Sequence, residues 1–172
     1  RNTNKPPGVR ILTPVDGSRV SDPNQRIEWT VEGVRQPPAD TVLREGWNTV
    51  TRCATDTAGN VGCDTTHVSG DFTPPAIQVF TITGHNPHEP SKDTTWTGDK
   101  ARTRFGRDTI WYWTRDSIRN PDDSWRVLSD THAVVTDFSG DGLFPTRVEA
   151  CDSVGNCGGD TGWIDLKQSI PV

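Results

Sequence analysis

Apolar residues along this chain recur in short alternating runs and never at helical spacing. Residues 26–33 read RIEWTVEG, with Ile27, Trp29 and Val31 on one face of an extended segment and polar residues between them. Residues 109–116, TIWYWTRD, repeat the theme. No window carries apolar residues at i, i+3, i+4 and i+7 over the length of a helix. Sixteen Gly and 13 Pro punctuate the runs, which favours short strands joined by turns. The pattern predicts an all-β fold.

The turn signals expose a repeat. Residues 53–63, CATDTAGNVGC, return near the other end as CDSVGNC, residues 151–157. A three-residue hairpin loop built on a type I turn puts its last residue in the left-handed region, where Gly is favoured. With Asp56 and Asn60 flanking Thr57-Ala58-Gly59, pairing runs outward symmetrically and Cys53 faces Cys63. In the second copy Asp152 and Asn156 flank the loop and Cys151 faces Cys157. The cysteines have moved inward by two residues on each side. That shift preserves the face and the kind of pair, because side chains alternate with period two. Two cross-strand disulfides are therefore predicted, at non-hydrogen-bonded positions where facing side chains come closest. Zinc is disfavoured, since four thiols split between distant hairpins lack the usual ligand spacing.

The two copies align further. Ala54 matches Ala150, and upstream Trp29 matches Trp113 and Thr30 matches Thr114, which sets Trp111 against Ile27. Trp113 is accordingly expected in a core, with Tyr112 facing out. Between the copies lies DFTPPA, residues 71–76, a short stiff connector. The expected domains are residues 8–71 and 74–168, the second lengthened by an insertion at about 84–107.

At this point a family comes into view. ILTPVDGSRV, IEWTVEGV, LREGWNTVTRCATDTAGNVG and DFTPP resemble the tandem immunoglobulin-like repeats of bacterial extracellular adhesins, which also serve as accessory modules of carbohydrate-active enzymes. The likeness covers most of residues 11–75 and, in the second copy, the region around VEACDSVGNCG. It implies two consecutive Ig-like β-sandwich domains, each of about seven strands. It also implies a non-catalytic spacer or adhesion role within a larger secreted or surface-anchored bacterial protein. The chain departs from the family pattern in its hairpin cysteines and in Arg52, which stands where an apolar residue is usual.

Composition narrows the setting. Of 172 residues 31% are hydrophobic, which suits thin cores better than one large one. Net charge is −5 with no run of Lys or Arg, so nucleic acid and anionic membrane surfaces are poor partners. No segment approaches the roughly 18 apolar residues of a membrane helix. Two local cysteine pairs favour an oxidising, extracellular or cell-surface location. The start RNTNKPPG, in a chain without Met, reads as a mature or excised piece of something longer. The expected partners are adjacent domains of the same parent chain, with polysaccharide or another surface protein as further candidates.

Candidate chemistry is sparse. Asp137, Ser139 and Asp141, followed by Gly142, fit the first half of a calcium loop. Val148 holds its twelfth position in place of Glu, and a polar hairpin turn explains the same residues. Asp71 at the connector is a second calcium candidate. Calcium is the one ion suggested, and no cofactor is required. Seven Trp are many for this length, and flat aromatic faces suit the apolar faces of sugars. Trp96 and Trp125, in polar stretches, together with Tyr112, support an alternative reading as a carbohydrate-binding module, although aromatics tucked over a sandwich end are commoner. His85-Asn86-Pro87-His88-Glu89 offers two imidazoles and a carboxylate but no further patterned ligand, and reads as a solvated loop. Absence of a Gly-x-Ser-x-Gly elbow, an unpaired cysteine or a phosphate-cradling Gly-rich loop argues against an enzyme.

Overall fold

In the computed structural model, which describes residues 4–122 and 124–168, the alternating runs form strands and the Gly- and Pro-rich stretches form turns. The fold is all-β, with several sheets and two disulfides. Helical structure among the described residues is confined to one 3-10 turn, Pro90–Lys92. None of their helices is long and apolar enough to cross a membrane.

The chain divides into two compact units, residues 1–73 with 118–126, and residues 74–117 with 127–172. The first contains β1 (Val9–Thr13), β2 (Ser18–Val20), β3 (Asn24–Val31), β4 (Val34–Arg35), β5 (Ala39–Val42), β6 (Gly46–Thr55) and β7 (Val61–Gly70). One sheet runs β1-β3-β4 with β5 also on β3; the other runs β2-β7-β6. Ile27, Leu43, Val50 and Val68 fill the core between them, with Trp29 and Phe72 packed against it.

The second unit is built on β8 (Ala76–Gly84), β9 (Thr94–Thr97), β10 (Lys100–Thr103), β11 (Arg107–Arg119), β12 (Trp125–Asp137), β13 (Gly142–Cys151) and β14 (Cys157–Leu166). Its sheets run β12-β11-β8-β9 and β10-β14-β13. The end of β11, the turn after it and the start of β12 group with the first unit. Val79, Ile82 and Ile110 from one sheet meet Ala101, Val148, Ile164 and Leu166 from the other.

The two units share a pairing plan. β1 with β3 corresponds to β8 with β11, both antiparallel. β2 runs parallel to β7 as β10 does to β14, and β6–β7 corresponds to β13–β14. A bulge recurs as well: Leu12 is skipped in the β1 ladder and Phe80 in the β8 ladder. Ile11 then faces Trp29, and Val79 faces Tyr112.

This register corrects one expectation. The structural equivalent of Trp29 is Tyr112 rather than Trp113, and that of Ile27 is Ile110. A one-residue slip exchanges the two faces of a strand. Tyr112 therefore turns toward the core and stacks on His132, with ring centroids 5.3 Å apart, instead of facing out. Trp113 lies outside the buried cluster, and its neighbour on the same face, Trp111, is 38% exposed.

Candidate functional site

The two terminal hairpins repeat atom for atom. In the first, the Asp56 N–H donates to the Asn60 carbonyl at 3.0 Å and Gly59 takes φ +86°. The Asp56 carboxylate accepts from the Ala58 and Asn60 N–H groups, both at 2.9 Å, and from the Asn60 amide. Asp152 does the same with Val154 and Asn156, and Gly155 takes φ +96°. The side-chain and backbone donors of Asn60 hold the Asp56 carboxyl below its ordinary value. For Asp152 burial pushes upward, but the Asn156 and Val154 donors outweigh it and the net shift is down. Both carboxylates accept from donors of their own loops.

Outward from the loops, Cys53 faces Cys63 and Cys151 faces Cys157, and each pair is bonded. Their Cα separations of 4.1 and 4.0 Å belong to facing, non-hydrogen-bonded positions. Two further devices lash each hairpin to the opening strand of its unit. A Cβ at Gly62 would collide with the Pro7 carbonyl oxygen, and one at Gly158 with that of Pro75. Asp64 accepts from the Ile11 N–H at 2.7 Å, and Asp160 from the Val79 N–H at 2.8 Å. The sequence shows Gly-x-Asp in both copies, as Gly62-Cys63-Asp64 and Gly158-Gly159-Asp160, and that spacing was the available signal.

The calcium candidates fall at separate places. Asp71 is buried and paired with the Arg19 guanidinium, a cation already in place. Asp137 ends β12, and Ser139 is exposed in the loop that follows. Asp141 accepts from the Gln168 N–H at 2.8 Å. From Gly142 the chain runs straight into β13, which carries Val148 into the core. A twelve-residue loop wrapped around an ion is thus replaced by an extended strand after the sixth position.

Of the aromatic candidates, Trp125 is 54% exposed and lies under the Arg119 guanidinium, 4.9 Å from its ring centre. Trp96 is half-buried and packs against the second core. It also lines an open groove of about 710 Å³ with Lys100, Arg102, Leu143, Trp163 and Asp165. Trp163 was not nominated from the sequence. Its signal is the alternation in TGWIDLK, where Ile164 and Leu166 are buried and Trp163 and Asp165 must face the other way. Parallel pairing sets Lys100 beside Trp163 and Arg102 beside Asp165.

The HNPHE loop is more structured than its sequence suggests. His85 Nδ1 lies 2.8 Å from an Asp93 carboxylate oxygen and Nε2 2.6 Å from the Thr109 hydroxyl. An N–H of Asn86 and the His85 ring hold the Asp93 carboxyl below its usual value. Connectivity of acid, imidazole and hydroxyl is that of a nucleophile relay. Thr109 is buried within β11, however, and neither it nor His85 lines the groove, so the contacts anchor the loop to the strand. Next to Thr109, Asp108 is fully buried, and neither carboxylate oxygen has a hydrogen-bond partner among the described residues. Burial pushes its carboxyl up to about 7, only partly offset by the nearby His85 ring.

Comparison with family models, with curated proteins and with solved structures finds no match to this chain.

Proposed function

We propose that the chain is a pair of Ig-like β-sandwich modules that act as a non-catalytic spacer or adhesion segment in a larger secreted or surface-anchored bacterial protein. The observation that carries this reading is the repeated closure of each unit. In both, a disulfide staples the two strands of the last hairpin, while a glycine seat and an aspartate tether bind that hairpin to the first strand. Such closures resist unravelling from the ends, which is what a load-bearing or protease-exposed module needs, and the disulfides suit an oxidising compartment. Neighbouring domains of the parent chain are its partners in this reading. Stretching single molecules between their termini tests it. We expect two separate unfolding events, with extra chain released only after the disulfides are reduced. Extension without resistance, or resistance confined to one event, overturns the proposal.

A second reading rests on a separate observation. Trp96 and Trp163 line one groove in the second unit with polar and charged neighbours, the composition of a sugar-binding surface. Depletion of the protein by polysaccharides, compared between the full chain and its Trp163→Ala variant, tests whether this unit is a carbohydrate-binding module. Equal retention of the two proteins rules it out.

A further inference from the structure

We propose that the Trp96–Trp163 groove takes an acidic saccharide, with sugar rings on the tryptophans and carboxylate or sulfate groups on the cations around them. The proposal rests on the carbohydrate-binding reading of the second unit and specifies its ligand class. Three observations lead to it.

The first is size and shape. The groove of about 710 Å³ is open, and a second cavity of about 350 Å³ adjoins it, sharing Trp96 and Arg102. Both volumes fall within the range of about 300–1,000 Å³ typical of ligand sites. A ridge of one aromatic and one guanidinium between two hollows suits a chain of rings better than a compact small molecule.

The second is charge. The whole chain carries −5. Yet Lys100 and Arg102 line the first hollow, and Lys92, Arg102 and Arg104 the second, against the lone carboxylate of Asp165. Neighbouring carboxylates cancel only part of this set. Glu89 pairs with Lys92. Asp165 is shared between Arg102, at 3.6 Å, and Lys167, at 3.4 Å, so one carboxylate serves two cations. Among the described residues neither Lys100 nor Arg104 has a carboxylate partner. Cationic side chains gathered against the sign of the rest of the molecule attract an anionic ligand. A neutral glycan would use none of them.

The third is rigidity. Lys100 and Arg102 stand on β10 beside Trp163 and Asp165 on β14, held by the parallel ladder. Ala101 and Ile164, the residues between them, are buried in the core. Trp96 is fixed by its packing on the same core. Groups mounted on paired strands are placed before the ligand arrives, which lowers the ordering cost of binding.

The test titrates the full chain, by calorimetry, with an oligogalacturonate, the same oligosaccharide methyl-esterified, hyaluronan, a sulfated glycan, poly-glutamate and single-stranded DNA. Esterification keeps the rings and removes the charge. We expect binding to at least one acidic glycan, with at least tenfold loss between about 0.1 and 1 M salt, where the screening length falls from ~10 to ~3 Å. Trp163→Ala should weaken it roughly thirtyfold and Arg102→Gln about tenfold. Both positions are on the outer face, and a circular dichroism spectrum equal to that of the parent shows that folding survives. The Lys100→Gln variant gives an independent reading of the charge contribution. Equal binding of acidic and esterified oligosaccharides overturns the acidic assignment and leaves the sugar-binding reading intact. No binding to any glycan overturns both. Binding of poly-glutamate or DNA as tight as that of the glycans, insensitive to Trp163→Ala, shows a plain polyanion surface and also overturns the proposal.

Discussion

Asp108 offers a stringent check on the packing of the second unit. Its carboxylate is fully buried on β11, and neither oxygen has a hydrogen-bond partner among the described residues. The ordinary value for the group is 3.8, and burial raises it in the folded chain to about 7. Between those values the folded state holds a proton that the unfolded state releases. Stability therefore falls as pH rises through this window and levels off above about pH 7. A gap of about three pKa units, at 1.36 kcal/mol each, sets a ceiling of about 4 kcal/mol. Relaxation and water penetration on ionisation reduce the penalty, and we expect about 2 kcal/mol. Replacing the residue, Asp108→Asn, removes the ionisation. At about pH 8 the variant should be the more stable protein by that amount. At about pH 4 the two should agree within about 1 kcal/mol, since both side chains are then neutral. Urea unfolding followed by tryptophan fluorescence across this range measures the difference. A difference that stays flat with pH, or grows toward acid, would refute the reasoning.

Four other perturbations probe the closures. Cys151→Ser with Cys157→Ser should cost the second unit about 2 kcal/mol in chemical unfolding, the chain-entropy value for so small a ring. Gly158→Ala drives a methyl into the Pro75 carbonyl, a backbone atom with little room to move, and should cost about 1–3 kcal/mol by the same assay. The matched change Gly62→Ala against Pro7 should do the same to the first unit. Asp160→Ala strands the Val79 N–H at the edge of the core and should destabilise by about 1–3 kcal/mol, with faster hydrogen exchange at Val79 as its local signature. An Asp160→Ala protein as stable as its parent would show that the tether contributes nothing.

The sequence by itself determined the strands, the hairpin loops and the disulfide pairs. These are local: a Gly in the left-handed position, flanking Asp and Asn, and a period of two decide them within about ten residues. Everything that depended on one strand's register against another was left to the tertiary structure. Trp113 and Tyr112 exchanged faces because the local likeness of TIWYWTRD to RIEWTVEG sets Trp113 against Trp29, whereas pairing with β8, thirty-odd positions earlier, puts Tyr112 at that place. The Asp64 and Asp160 tethers were legible only as a spacing, since their acceptors gain meaning when β1 and β8 fold over them. Trp163 and Arg102 stand some sixty residues apart, and only the parallel β10–β14 ladder makes them one surface. Alternation fixes which side chains share a face, while the pairing of distant strands decides what each face meets.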